Sequence, residues 1–174
     1  QQSKRLAQRL LKENIDVAYC SDFPRAKDTL NYYLKLNKVK TVYTKELREG
    51  SVGIFVGKTR KDYFAWKESN VGKRWLSKFG KSLHWAFPGG ESYEDLQKRA
   101  IKITEKIIKR ERGENVLIMT HGKAKTMMLM HLLKKDYKGY KKRYSISNTG
   151  ISIINIEDDV NHRARLINNT GHLR

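Results

Sequence analysis

The sequence is poor in cysteine, in proline and in long apolar runs, and each shortage excludes a class of protein. Its single cysteine, Cys20, has no partner for an internal disulfide, which excludes a disulfide-stabilised secreted scaffold and fits the reducing cytoplasm. No apolar stretch approaches the roughly 20 residues that a membrane-spanning helix needs, so we expect no membrane partner. With 174 residues, the chain fits one domain that has its own core.

Acidic residues are also scarce. The chain has 18 Asp and Glu against 37 Lys and Arg, a formal net charge of +19, which favours anionic partners such as phosphorylated metabolites, nucleic acid or acidic lipid. The lysines are scattered along every segment, which is typical of a solvated basic surface. A nucleic-acid-binding module is a weaker alternative, because the aromatic platform and the glycine-bracketed loop of common RNA-binding domains are both missing.

Hydrophobic periodicity alternates between helix and strand along the chain. Helices are predicted at residues 3–13, 24–34, 62–68, 93–107 and 124–133, and strands at 15–21, 40–47, 115–119, 144–157 and 163–170. Asp22 is expected to cap the second helix ahead of Pro24, and Ser92 to cap a later helix with Asp95 three residues on. The alternation, closed by a hairpin, predicts a single-domain α/β fold with a mostly parallel mixed sheet and helices on both faces.

Two segments nearly match known catalytic loops, but their spacing does not fit. Gly53 and Gly57 are separated by three residues, whereas a phosphate-binding loop of the nucleotide-binding type needs four. Cys20 and Arg25 are separated by four residues, one fewer than the loop of a cysteine phosphatase, so we expect a small core cysteine. The five histidines form no His-x-x-x-His pair and accompany no dense carboxylate cluster, so we expect no metal site.

Charged side chains follow three of the predicted strands at the points where the strands end. These residues are Arg25, Glu49 and His121. Because open α/β sheets bind their ligands at the carboxyl ends of strands, we expect the three side chains to converge. Arg25 could bind a phosphoryl group, a cationic His121 could stabilise its charge, and Glu49 could protonate a leaving oxygen and then activate water. Taken singly, each residue also fits a purely structural role.

Several segments, in order, resemble those of the histidine phosphatase (phosphoglycerate mutase-like) superfamily. They are YCSDFPRAKDTL, LREGSVGIFVGKT, FPGGES, VLIMTHGKAKTMM and the closing SISNTGISII and NNTGHL. The resemblance runs from about Arg5 to the end of the chain. It implies that Arg25, Glu49 and His121 are catalytic. It also implies a set of substrate-binding residues: Ser21, Arg25, Glu91, His121 and Gly122.

The resemblance further implies an activity of the phosphatase branch. The expected protein is a cytoplasmic, metal-independent phosphomonoesterase that needs no cofactor and acts on a small phosphorylated metabolite through a phosphohistidine intermediate. A homodimer is the family-level expectation. Phosphoglycerate mutase activity is an alternative, which the short segment between Gly57 and Pro88 makes less favoured.

Two departures from the family pattern bear on the activity. Val56 stands where the family often has Glu, and the Arg-His-Gly box, which carries the family's nucleophile, does not occur in the 174 residues. We therefore expect residues 1–174 to form a histidine phosphatase-like domain that lacks its first strand. Residues 50–88 are expected to form a pocket-capping insertion whose aromatic side chains line the pocket or build a local core. Taken literally, the missing nucleophile would indicate a catalytically inactive phosphate-binding pseudoenzyme.

Overall fold

The structure is a computed structural model, which describes residues 1–79, 84–135, 146–157 and 161–174. These residues form two compact units, the first made of Gln1–Glu49 with Ala100–Arg174 and the second of Gly50–Arg99. The helices are α1 (Gln2–Leu10), α2 (Pro24–Leu34), α3 (Arg60–Glu68), α4 (Asn70–Phe79), α5 (Tyr93–Arg110) and α6 (Gly122–Leu132). The strands are β1 (Val17–Ser21), β2 (Lys40–Thr44), β3 (Val116–Met119), β4 (Ile151–Ile156) and β5 (His162–Asn169).

Three strands of the first unit form a parallel sheet in the order β2-β1-β3. Val17 of β1 is aligned with Lys40 of β2 and with Val116 of β3, so all three strands run in register towards one edge. β1 is buried along its whole length, as a central strand of a parallel sheet should be. The predicted α/β class and parallel sheet are confirmed.

The closing hairpin pairs as predicted, although it forms a sheet of its own. β4 and β5 are antiparallel, and among the described strands neither is hydrogen-bonded to the parallel sheet. In the same ranges β3 pairs with β1 alone and is only half-buried. The described strands therefore form two sheets where the sequence predicted one mixed sheet. β3 is at the edge of the first sheet, and β4 belongs to the second.

One hydrophobic core nevertheless joins the two sheets. Its buried members come from α1, α2, β1 and the start of β4: Leu6, Ala7, Leu10, Ala18, Cys20, Ala26, Leu30, Tyr33 and Ile151. Leu117 and Met119 of β3 and Ile153 of β4 pack against them. Each fully buried side chain of leucine size contributes about 1.5–3 kcal/mol, so this shared core connects the two sheets, which no hydrogen bond between described strands joins.

The helix caps confirm one sequence prediction and correct another. Ser92 caps α5 as expected, since its hydroxyl accepts the Asp95 N–H at 3.1 Å and donates to the Asp95 carboxylate at 2.6 Å. Pro24 begins α2, but its N-cap is Phe23 and no side chain caps it. The expectation for Asp22 is therefore wrong: its carboxylate is bonded to Arg48 instead.

Several predicted boundaries also change. β2 ends at Thr44, where a short 3-10 turn, Lys45–Leu47, replaces the end of the predicted strand. α6 begins at Gly122, two residues before the predicted start. α4 was not predicted at all. Residues 144–145 of a predicted strand, and residues 158–160 between the two strands of the predicted hairpin, lie outside the described residues.

The second unit has an aromatic cluster as its local core. The ring of Phe55 lies 4.8–5.6 Å from those of Tyr63, Trp66 and Phe87, and Trp85 lies 4.5 Å from Phe87. These edge-to-face contacts support the local-core alternative for the aromatic residues. The predicted insertion, residues 50–88, lies inside this unit.

A close backbone approach ties the two ends of that segment together. The Ile54 N–H donates to the Pro88 carbonyl at 3.0 Å, and Gly53 adopts a positive φ of 52° beside it. A Cβ at Gly53 would lie 2.1 Å from the Pro88 oxygen, so only glycine fits there.

We expect Ser92→Ala to lower the free energy of unfolding by about 1 kcal/mol at pH 7, because it removes the cap of α5. The Ser92 hydroxyl and N–H hold the pKa of Asp95 below its ordinary value of 3.8. The part of the difference that comes from the bond between the hydroxyl and the carboxylate is therefore fully present above pH 3.8 and is lost as the pH falls through the depressed pKa, whereas the bond from the Asp95 N–H to the hydroxyl is independent of the charge of Asp95. Urea unfolding at pH 7 and at lower pH measures both effects.

Ser77→Ala is the matched control, because the Ser77 hydroxyl donates to a carbonyl of its own helix and caps nothing. An equal loss of stability in both variants would contradict the capping role of Ser92.

Lys125 is a second source of pH-dependent stability. Its Nζ donates to the Gly150 carbonyl at 2.5 Å, and burial lowers the pKa of its ammonium from 10.5 to about 8. Between those two values the unfolded chain binds more protons than the folded one, so this group makes stability rise with pH across that window. We expect Lys125→Met to abolish that rise, which unfolding midpoints at pH 7 and pH 10 would measure.

Lys102→Met, at an exposed position of α5, is the control for the lysine prediction. It should keep the pH dependence of the parent protein. If stability still rises with pH in Lys125→Met, burial of the Lys125 ammonium does not cause that rise.

Candidate active site

The carboxyl ends of the three parallel strands carry the predicted residues at one edge of the sheet. Ser21 is the last residue of β1, and Arg25 lies in the first turn of α2. Glu49 follows the turn after β2, and His121 stands between β3 and α6. In open α/β sheets this edge is where ligands bind, and the parallel register of the strands accounts for the convergence.

His121 is hydrogen-bonded through both of its ring nitrogens. Its Nδ1 accepts from Arg25 Nε at 3.2 Å, and its Nε2 lies 2.8 Å from the hydroxyl of Ser21, which is fully buried. Arginine can only donate, so Nδ1 carries a lone pair and Nε2 carries the proton that is donated to Ser21. In this arrangement the ring is neutral, and the cationic state expected from the sequence stays a prediction for the ring with phosphate bound.

Phe23 connects His121 to two guanidinium groups. Its ring meets the His121 ring edge-to-face with the centroids 5.4 Å apart. The guanidinium carbons of Arg25 and Arg48 lie 4.8 Å and 5.0 Å from the Phe23 centroid, within the range of a cation–π contact. The aromatic ring therefore packs directly against the candidate phosphate-binding residues.

Arg48 is held by Asp22 through two parallel hydrogen bonds. Nε and Nη2 donate to the two carboxylate oxygens, each at 2.6 Å. These bonds hold the pKa of the Asp22 carboxyl below its ordinary value and raise the pKa of Arg48. Sequence reasoning missed Asp22, Phe23 and Arg48 as site residues, although two of them lie between Ser21 and Arg25 and the third directly precedes Glu49.

Glu49 lies at the beginning of α6. Its carboxylate accepts the backbone N–H groups of Lys123 at 3.2 Å and Ala124 at 3.3 Å. An anion is favourable at a helix N-terminus, where the first N–H groups point outward. At Gly122, a Cβ would make only ordinary contact with Glu49 at 3.8 Å, so space does not require a glycine there.

A further hydrogen bond connects the end of β3 to the segment that precedes Glu49. The Thr120 hydroxyl donates to the Leu47 carbonyl at 2.7 Å, and the Leu47 side chain is buried. The structure thus brings Ser21, Arg25, Glu49, His121 and Gly122 together within the first unit.

Glu91 belongs to the second unit. Its carboxylate receives two hydrogen bonds from Arg99, at 2.8 Å and 2.7 Å, and a longer one of 3.4 Å from the Ser51 N–H. Within its unit it therefore joins the loop at residue 51 to the start of α5. Its contact with substrate remains a prediction.

Cys20 is a core residue, as the sequence predicted. Its side chain is fully buried, and burial raises the pKa of its thiol to about 11, which disfavours the nucleophilic thiolate.

The described residues contain neither a cluster of metal ligands nor a helix that could span a membrane. Within those ranges, no three His, Cys, Asp or Glu side chains are grouped in a way that could hold a metal ion. None of the helices described is long and apolar enough to cross a bilayer.

The chain is similar in sequence to curated proteins and in fold to solved structures. The metal-independent phosphoserine phosphatase of Arabidopsis thaliana is 28% identical over 162 residues, which cover 90% of this chain and 63% of that protein. The chain thus spans less than two thirds of that relative's length.

Two solved structures share the fold. YhfR of Bacillus stearothermophilus superposes with a TM-score of 0.84 at 23% identity, covering 99% of this chain and 83% of that one. The α-ribazole phosphatase of Shigella flexneri superposes with a TM-score of 0.80 at 19% identity, covering 97% and 80%.

The family itself follows from a profile match across nearly the whole chain. Residues 1–170 match the histidine phosphatase superfamily (branch 1), the family that the sequence segments resemble. The chain belongs to the histidine phosphatase superfamily.

Proposed function

We propose that the protein hydrolyses a phosphate monoester of a small metabolite through a phosphohistidine intermediate. The observation that carries the proposal is the hydrogen-bonded set of Ser21, His121 and Arg25 at the carboxyl ends of the strands. Membership of the histidine phosphatase superfamily supports it, as does the net charge of +19, which attracts anionic substrates.

Arg25 and His121 hold the phosphoryl group in this proposal. The Arg25 side chain is exposed, and a guanidinium can bind two phosphoryl oxygens at once. An arriving phosphate dianion draws Arg25 away from Nδ1 of His121. That nitrogen can then take up a proton, and the ring faces the phosphate as a cation, the state in which it best stabilises phosphoryl charge.

The nucleophile is proposed to come from a strand outside the 174 residues. β3 and β4 each have one edge that pairs with no described strand, and both pack against the same core. A strand paired with both edges would satisfy their backbone groups. If it ended in Arg-His-Gly, as in the family pattern, its histidine would lie beside His121.

The reaction then has two balanced steps. The nucleophilic histidine nitrogen attacks phosphorus, the bond from phosphorus to the alcohol oxygen breaks, and Glu49 gives its proton to the leaving oxygen. Glu49 next takes a proton from water. The resulting hydroxide attacks phosphorus, the phosphorus–nitrogen bond breaks, and inorganic phosphate and the free histidine are released.

The remaining assignments belong to the same proposal. The segment 50–88 caps the pocket, and Glu91 and Gly122 contact the substrate. The protein acts in the cytoplasm as a homodimer and needs no metal ion, so a chelator should leave its activity unchanged.

The test is an assay of the full-length protein. We expect hydrolysis of phosphate monoesters and, after an alkaline detergent quench with labelled substrate, a protein-bound phosphate that is stable to alkali and labile to acid. Arg25→Gln and His121→Gln should each lower kcat/KM by about 100-fold or more, since each removes a phosphate-binding group. Arg163→Gln, at an exposed position of β5, is the control and should be fully active.

Other results would point to the alternatives. Phosphate binding with neither hydrolysis nor a labelled protein would indicate a pseudoenzyme. Transfer of phosphate between hydroxyl groups of one substrate would indicate a mutase, and salt-sensitive retention of RNA without hydrolysis would indicate a nucleic-acid-binding module.

A further inference from the structure

The ion pair between Asp22 and Arg48 links two of the chain segments that carry the candidate site. Asp22 directly follows Ser21, whose hydroxyl contacts His121, and Arg48 directly precedes Glu49. The pair therefore spans the ends of β1 and β2, on the side of the sheet from which both functional segments continue.

The geometry of the pair restrains direction as well as distance. Two parallel hydrogen bonds of 2.6 Å fix the plane of the guanidinium relative to the carboxylate, which a single ammonium contact would not do. The guanidinium also stacks on Phe23, which stands between Asp22 and the start of α2. The carboxylate of Asp22 and the ring of Phe23 thus limit the positions that Arg48 can take.

Both side chains of the pair are partly open to solvent. The Arg48 side chain is 45% exposed and the Asp22 side chain 27% exposed, so solvent screens the attraction, although a bidentate pair is the favourable case. The lowered pKa of Asp22 and the raised pKa of Arg48 keep both groups charged near neutral pH. The two charged groups therefore fix each other's orientation, which restrains the residues next to them in the chain.

Glu49 is the neighbour that depends most on this geometry. Its carboxylate reaches the N–H groups of Lys123 and Ala124 at 3.2 Å and 3.3 Å, near the long end of the hydrogen-bond range. A small displacement of residue 48 would break both bonds. The Thr120–Leu47 hydrogen bond restrains the same segment from the side of β3.

We propose that Asp22 and Arg48 are positioning residues, which hold Glu49 at the start of α6 while Arg25 and His121 hold the phosphoryl group. The inference rests on the proposed function, in which Glu49 moves the proton. The pair touches neither the substrate nor the reacting atoms. Its effect should therefore appear in the step that needs proton transfer.

The kinetic test compares substrates whose leaving groups differ in their need for a proton. The rate to compare is that of the first step, measured in a single turnover as transfer of the phosphoryl group to the enzyme, because the second step needs Glu49 with every substrate. We expect Arg48→Gln and Asp22→Asn to lower this rate for an alkyl phosphate by about tenfold or more. For p-nitrophenyl phosphate, whose leaving group departs as an anion, the same rate should change by less than about twofold, because no proton is needed in this step. Glu49→Gln should show the same selectivity more strongly.

Two further variants separate positioning from a general structural effect. The double variant Asp22→Asn/Arg48→Gln should be no worse than either single variant, because both remove one shared interaction. Arg48→Lys keeps the charge without the bidentate geometry and should recover part of the lost rate. Arg163→Gln, which breaks an exposed pair with Glu157, is the matched control and should leave both rates unchanged.

Equal loss of rate with both substrates, together with a lower melting temperature, would show a structural role and overturn the proposal. Unchanged rates with both substrates would overturn it as well.

A second measurement needs no enzymatic activity. In the parent protein, the amide resonances of Lys123 and Ala124 should shift when Glu49 is protonated, and Glu49→Gln should abolish that titration. In Arg48→Gln, protonation of Glu49 should no longer shift the amide resonances of Lys123 and Ala124. If the two resonances still shift in Arg48→Gln, the positioning role of Asp22 and Arg48 is refuted, even if the protein is a phosphatase. If the amides respond as expected but no phosphatase activity is found, the proposed reaction fails while the positioning role stands.

Discussion

The parallel pairing of β1 with β2 and β3 is the constraint on which the candidate site depends. β1 is buried from end to end and hydrogen-bonded on both sides, so its direction and register are fixed by the core. Because its partners run parallel to it, three chain segments leave the sheet at one edge. Ser21, Glu49 and His121 come from segments far apart in sequence, and this pairing alone brings them within reach of one another.

This dependence explains which parts of the site could be predicted from sequence. A buried strand followed by a polar residue is a local pattern, so Arg25, Glu49 and His121 could be identified one strand end at a time. The Asp22–Arg48 pair depends on the distance between two loops, which no local pattern encodes, and Asp22 also matches the sequence of a helix cap. The neutral state of the His121 ring could not be predicted from local sequence either, because it depends on the position of Arg25 Nε in the folded chain.

The helix of the second unit that was not predicted has a physical explanation. α4 contains Gly72, which lowers helix propensity and weakens the periodic pattern. The structure shows why glycine stands there: a Cβ at Gly72 would lie 2.0 Å from the carbonyl oxygen of Trp66. Gly72 is therefore needed for the close packing of α4 against the end of α3. The same glycine is the reason why the sequence pattern did not predict α4. α3 is capped by a box formed by Thr59 and Asp62 and begins at Arg60, two residues before the predicted start.

The distribution of charge at the strand ends favours a phosphate ligand more specifically than the net charge of the chain does. Asp22 lies three residues before Arg25 and could neutralise it, but both Asp22 oxygens are bonded to Arg48. Glu49 is bonded to the first turn of α6. Within the described residues, Arg25 instead contacts a neutral imidazole and the ring of Phe23. The local carboxylates are thus occupied by other donors, and the positive charge of Arg25 remains for an anion that enters the site.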